Sequence, residues 1–268
     1  MNTAISTSPN PIAGLPPEFD PPVRMGNLAW RVRGGALTST LLDLLENPDR
    51  YLPDKRDSHH PARRGFPTSI APVSGYFLKR YNRDRPGRLL KSFFRLVPAQ
   101  RAFDMAVQLE KAGIDTPAAV AVAHQRRCGM LLKSYLVTVF RAEAVTALKW
   151  KGNPRPAARR LAGFVARLHD GGFFHRDLHL ANLMLEGEGH PLLVDLDGMR
   201  YLGRISERKA LWELARFSRN ALKAPHISRS TRGHFLAEYC RLRGLGSWKS
   251  WWRRIEKKES FRFRLSQH

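Results

Sequence analysis

The stretch from 173 to 198 constrains this chain most. "FFHRDLHLANLML" is followed closely by "LLVDLDG", so two apolar runs each enclose a few acidic, basic and amide groups. Apolar runs of this length are satisfied by two buried strands with a short polar loop beside them. "LMLE" and "PLLVDL" are predicted to pair as a hairpin with "GEGH" as the turn. Asn182 then lies just before one strand and Asp195 at the far end of the other, so their side chains can converge. A carboxylate and an amide oxygen aimed at one point suit a hard cation. Mg²⁺ fits because it leaves positions for phosphate and water. Asp177, from the same loop, is placed to accept a proton from an attacking hydroxyl.

The surrounding pattern places this loop in the second half of the chain. "NPRPAARRLAGFVARLHDGG" (153–172) predicts a helix with Leu161, Val165 and Leu168 on one face and Gly-Gly closing it. Upstream, "SGYFLKRYN" (74–82) and "MLLKSYLVTVF" (130–140) predict strands, and 99–112 predicts a helix stopped by Gly113. Downstream, "SERKALWELARFSRNALK" predicts a helix with Leu211, Leu214, Phe217 and Leu222 on an apolar stripe. Strands with one helix first, then mostly helices, fit two unequal α+β lobes better than a βαβ repeat. The expected division is a flexible tail over 1–24, an N-lobe over 25–139, and a C-lobe over 140–268 with a basic, aromatic end.

Composition bears on partners. The 268 residues include 46 Lys+Arg against 23 Asp+Glu, a formal charge of +23. That excess favours anionic surfaces: nucleic acid, acidic lipid or a phosphorylated glycan. Cys128 and Cys240 are too few for a disulfide framework or a cysteine-rich zinc site, which suggests a reducing compartment. The start has no basic, apolar signal pattern, and no stretch approaches the roughly 20 apolar residues of a spanning helix. A cytoplasmic protein is expected, with peripheral membrane contact left open.

"HRDLHLAN" matches H-R-D-x-x-x-x-N at His175, Arg176, Asp177 and Asn182, the catalytic loop of protein kinase-like phosphotransferases. "VDLDG" stands where that superfamily has D-F-G, and "YFLKRY" resembles its nucleotide-binding strand, with Lys79 as the lysine. With "LEKAGIDTP" and "KSYLVTVF", these segments resemble the Kdo/WaaP (InaA-like) lipopolysaccharide kinase family over roughly 70–240. The resemblance implies a protein kinase-like two-lobed fold, with a small β-rich N-lobe and a mainly helical C-lobe. It implies ATP and Mg²⁺ as cofactors. Asp177 would orient or deprotonate the acceptor hydroxyl, Asn182 and Asp195 would hold Mg²⁺, and Lys79 would neutralise the non-transferred phosphates. The implied acceptor is a sugar hydroxyl of the lipopolysaccharide inner core (Kdo or heptose), an anionic glycan on an anionic membrane surface.

Two departures keep other readings open. "RRGFPTSIAPVSG" holds no G-x-G-x-x-G ahead of Lys79, so the nucleotide's lid must be built differently. The helix carboxylate for Lys79 is not obvious; Glu110, in phase with Phe103 and Val107, is a better candidate than Asp104. A kinase-like scaffold without catalysis, docking on anionic lipid or nucleic acid, is one alternative, and a small-molecule phosphotransferase is another. Nothing else in the chain resembles a nucleic-acid fold, which disfavours that partner. The ending "SWKSWWRRIEKKESFRFRLSQH" fits either an interfacial segment or a terminal helix packing its tryptophans on the second lobe.

Overall fold

The computed structural model describes residues 11–12, 14–52, 68–82, 97–127, 130–222, 224 and 227–265, with side chains as far as residue 258. Cys128 and the first ten residues lie outside that set. The chain divides into two compact units, 1–111 with 117–142, and 112–116 with 143–268. The division therefore differs from a single cut at 139/140. Residues 112–116 belong with the second unit because Leu193 N–H donates to the Asp115 carbonyl (3.0 Å) and the Thr116 hydroxyl donates to the Leu193 carbonyl (2.8 Å).

The first unit is built on an antiparallel sheet. Its strands are β1 (Val23–Met25), β2 (Leu28–Val32), β3 (Thr68–Val73), β4 (Tyr76–Asn82), β5 (Ala119–Arg127) and β6 (Met130–Val139), in the order β1-β2-β5-β6-β4-β3. In β2, Leu28, Trp30 and Val32 are buried while Ala29 and Arg31 are exposed, the alternation of a strand with one face on a core. That core includes Leu41, Leu44 and Leu45 of helix α1 (Ser39–Glu46). The Thr38 hydroxyl caps α1 by accepting from Leu41 N–H at 3.2 Å. Ser74 (φ 42°) and Gly75 (φ 86°) join β3 to β4. Two successive positive φ values match the strand twist of a two-residue hairpin turn. Lys79 sits in β4 opposite Ile70 and Leu136.

Helix α2 (Pro98–Lys111) buries Ala99, Ala102, Phe103, Ala106 and Leu109, and packs against β5 and β6. Here two expectations change. Glu110, the candidate partner for Lys79, is engaged by Arg33, which donates to both its oxygens at 3.1 and 2.6 Å. Arg33 is fully buried and also donates to the carbonyls of Ala119, Leu15 and Pro16. A guanidinium in that position must be neutralised and saturated with acceptors, and Glu110 and the 15–16 backbone do this. The expected tail consequently ends before residue 24. Ile12 is buried, Phe19 bridges to Arg33, and its ring meets Phe103 edge-on at 4.6 Å.

The second unit holds two small sheets and four helices among its described residues. β7 (Val145–Thr146), β9 (Leu183–Glu186) and β10 (His190–Leu193) form one sheet in the order β10-β9-β7; β8 (Phe173–His175) pairs with β11 (Met199–Tyr201). The helices are α3 (Pro154–Asp170), α4 (Glu207–Ala221), α5 (Arg229–Leu242) and α6 (Trp248–Leu265). Asn153 caps α3, accepting from Arg155 N–H at 3.2 Å, with Pro154 in the first turn, where its missing N–H costs nothing. Leu161, Val165 and Leu168 are buried as their spacing predicts. In α6 the two readings divide by residue. Trp251 is buried against Tyr239, whereas Trp248 is 37% exposed. Trp252 lies beneath the guanidinium groups of Arg229 and Arg232. No helix among the described residues is long and apolar enough to cross a membrane.

In the first unit, Asp49 accepts from Arg80 (2.7 Å), Lys133 (2.6 Å) and Tyr135 (2.9 Å), tying the turn after α1 to β4 and β6. Partial burial pushes this carboxyl up, but the hydrogen bonds from Lys133, Arg80 and Tyr135 outweigh it and hold the pKa below the ordinary 3.8. Because the folded value is the lower one, the contribution of Asp49 to stability is present above pH 3.8 and lost as pH falls through the folded pKa. Asp49→Asn is expected to lower the urea midpoint at pH 7 and to flatten its decline below about pH 4. A decline as steep as in the wild type would contradict this.

Candidate active site

The polar loop of 175–182 is held from beneath by one buried carboxylate. Glu213, on α4, is 1% exposed and accepts from His175 N–H at 3.0 Å through one oxygen. Its other oxygen lies 3.3 Å from Nε2 of His169 at the end of α3, and His169 Nδ1 lies 2.6 Å from the Tyr239 hydroxyl on α5. A carboxylate only accepts, so His169 donates through Nε2 and its Nδ1 accepts a hydrogen bond from the Tyr239 hydroxyl. Three helices and β8 are thereby joined by one chain of hydrogen bonds. The apolar stripe expected on α4 is correspondingly rotated. Ala210, Glu213, Leu214, Phe217 and Ala221 form the buried face, Leu211 is half-buried, and Leu222 is exposed.

His175 passes this rigidity to the site. Its Nδ1 accepts from Asp177 N–H at 3.1 Å, so Nε2 carries the proton and donates to the Asp195 carbonyl at 3.0 Å. Burial pushes the imidazole below its ordinary pKa, against the upward pull of the Asp195 carbonyl and of the Glu213, Asp195 and Asp177 charges. A neutral ring is what this bonding requires. Asp195 itself adopts φ 58°, ψ 71°. The left-handed region costs a non-glycine residue energy and is found where surrounding contacts over-determine the backbone.

The hairpin forms, with His190 in the second strand rather than in the turn and that strand ending at Leu193 rather than at Leu196. β9 and β10 pair from Leu183↔Leu193 to Glu186↔His190, and Val194 N–H donates to the Asn182 carbonyl at 2.8 Å. This register places Asn182 and Asp195 at the same end of the ribbon. Asn182 is buried, and its Nδ2 donates to the Asp177 carbonyl at 3.1 Å, which points its Oδ1 the other way. Asp177 is 47% exposed on its side chain, and Oδ1 accepts from Nη2 of Arg216, on α4. Oδ2 lies 3.7 Å from Nε2 of His179. Lys79 lies in the other unit, half-buried, with Nζ 4.9 Å from the Tyr81 ring centroid.

No group of three or more His, Cys, Asp or Glu able to hold a metal occurs among the described residues. Asn182 and Asp195 instead offer one amide oxygen and one carboxylate. That sparse, hard-oxygen set suits Mg²⁺, which takes one or two protein ligands and completes its shell with phosphate and water. Glu213, His169 and Arg216 were not legible as site residues. Glu213 did carry a signal, an acidic residue in phase with Ala210, Leu214 and Phe217; Arg216 carried none.

A β-sheet unit followed by a helical unit, with an H-R-D loop ahead of a hairpin and a D-L-D-G turn, defines a protein kinase-like fold. The chain belongs to the lipopolysaccharide kinase (Kdo/WaaP) family, whose model matches residues 58–239. In fold it is similar to the structure of WaaP in complex with acyl carrier protein, with a TM-score of 0.53 and 22% identity over 72% of this chain and 83% of that one. It is also similar to the bifunctional kinase-methyltransferase WbdD, with a TM-score of 0.46 and 16% identity over 72% of this chain and 47% of that one. No curated protein matches in sequence.

Removing the Glu213 carboxylate leaves the His175 N–H and a buried His169 nitrogen without an acceptor. Glu213→Ala is expected to lower stability by about 3 kcal/mol in urea titration, and Glu213→Gln by less, because its amide oxygen still accepts one bond. Equal midpoints for Glu213→Ala and wild type would show that the network does not hold the loop.

Proposed function

We propose that this chain transfers the γ-phosphoryl group of ATP to a sugar hydroxyl, Kdo or heptose, of the lipopolysaccharide inner core. The observation that carries the proposal is the set of bonds around His175. One neutral imidazole fixes the Asp177 amide and the Asp195 carbonyl at once, and Asn182 is tied to the same loop. Phosphoryl transfer requires positioning and charge stabilisation more than covalent chemistry from the protein, and this loop is built for positioning. Asp177 accepts the acceptor's hydroxyl proton as the oxygen attacks phosphorus and the bond to ADP breaks. Asn182 and Asp195 hold Mg²⁺, which when bound neutralises charge on the phosphates. Lys79 binds the phosphates that are not transferred.

The charge of +23 supports an acceptor bearing carboxylates and phosphates at an anionic membrane surface. Exposed Trp248, with Arg229 and Arg232 over neighbouring Trp252, supplies an aromatic and basic patch for peripheral contact there. A cytoplasmic site of action follows from the nucleotide donor.

Thermal shift separates this reading from a non-catalytic scaffold. ATP with Mg²⁺ is expected to raise Tm, ATP alone to raise it less, and Asp195→Ala to abolish the metal-dependent part. Asp177→Ala is expected to keep that shift while turnover falls about 10²- to 10⁴-fold. No nucleotide effect on wild-type Tm would favour the scaffold. For the acceptor, mass spectrometry of lipopolysaccharide from cells with and without the protein should differ by one phosphate; identical spectra would remove the inner core as acceptor.

A further inference from the structure

Arg216 has a position that the phosphotransfer roles above do not use. It projects from the third turn of α4, and its guanidinium lies 5.9 Å from the Trp212 ring centroid, one turn earlier. Nη2 reaches Oδ1 of Asp177, the carboxylate proposed to receive the acceptor's proton. Nε is buried with no hydrogen-bond partner, as is Nε of Arg219 three residues on. The opposite oxygen of Asp177 faces His179, whose Nδ1 is likewise buried without a partner. One oxygen of the base thus accepts from Arg216 and the other faces the His179 imidazole, and a buried nitrogen of each of those two side chains has no hydrogen-bond partner.

The oxygen that accepts from Arg216 is the poorer hydrogen-bond acceptor for an incoming hydroxyl. A guanidinium, moreover, makes its strongest contacts as a two-pronged fork on a carboxylate or phosphate, and Arg216 has only one prong on Asp177. The pair is also weak by location, since the two side chains are 37% and 47% exposed. An anion offering two oxygens would outcompete Asp177 for Arg216 and leave Oδ1 open to the hydroxyl.

We infer that Arg216 recognises an anionic group, carboxylate or phosphate, carried by the acceptor sugar next to the hydroxyl that is phosphorylated, exchanging its contact with Asp177 for one with that anion. Arg216 is then a specificity-determining residue. A neutral sugar leaves the base capped, whereas an acidic one uncaps it on binding. The inference rests on the proposed phosphotransferase reading and deepens it, because it selects acidic over neutral acceptors at the same loop.

The test uses matched pairs of soluble acceptors with the full chain. One pair is a Kdo methyl glycoside as the free acid and as its methyl ester; the other is a heptoside with and without a neighbouring phosphate ester. Equilibrium binding is measured by calorimetry, and transfer from ATP with Mg²⁺ as kcat and KM. Wild type is expected to bind the anionic member of at least one pair tenfold or more tighter and to phosphorylate it with a correspondingly higher kcat/KM. In Arg216→Gln the ratio should fall to within twofold, and Arg216→Lys, which keeps the charge but loses the fork, should recover part of it. The pair that discriminates identifies the anion.

Equal binding of both members of both pairs to wild type overturns the inference without any variant. It is also overturned if the preference survives intact in Arg216→Gln, or if that variant weakens charged and neutral acceptors alike, which would make Arg216 a support for Asp177 only. Absence of transfer to every acceptor would defeat the proposed function, and the binding ratios would still decide the role of Arg216.

Discussion

The carboxylate of Glu213 is the interaction on which the rest of the second unit's architecture depends. It is a charge-bearing group placed in a helical core at 1% exposure, tolerable only because both oxygens have partners. Those partners are chosen so that the cost is converted into geometry. One is the main-chain N–H of the residue that opens the loop; the other is the imidazole that relays to Tyr239. With His175 immobilised from below, its ring can define two backbone positions above it, at Asp177 and Asp195. The left-handed backbone of Asp195 persists because this frame leaves it no alternative.

The polar groups of the loop are held differently. Asn182 donates to the Asp177 carbonyl, and the Asp195 carbonyl accepts from His175. Asp177 is instead covered by basic side chains, Arg216 above all. In a chain so rich in Lys and Arg, basic residues near a carboxylate are unsurprising; Arg216 lies against the Trp212 ring and donates to Asp177 directly. The excess positive charge is thus more than a property of the surface. One element of it meets the carboxylate of the H-R-D loop.

The first unit shows the same economy with the signs reversed. Arg33 is the buried charge there, and Glu110 with three carbonyls saturates it. This arrangement ties Leu15, Pro16 and Phe19 to the sheet and takes Glu110 away from the role its helical phase suggested. Phase says which side of a helix a carboxylate occupies. It does not say which of the cations reachable from that side will bind it, because that depends on burial, and a fully buried guanidinium has the larger penalty to relieve.

Locally encoded features were legible from the chain alone. The helix of 154–170 has its cap, its prolines and its apolar spacing in consecutive residues; the 183–193 hairpin has its turn glycines and its apolar strands; and the H-R-D loop is a contiguous string. Each is set by interactions among residues near in sequence, so its pattern is written in order. Glu213, His169, Tyr239 and Arg216 became part of the site only through packing, since their partners lie 38 or more residues away. Whether a polar side chain on an apolar helix face is an expensive defect or the keystone of a loop depends on what donor the fold brings to it, and that is decided by tertiary contact.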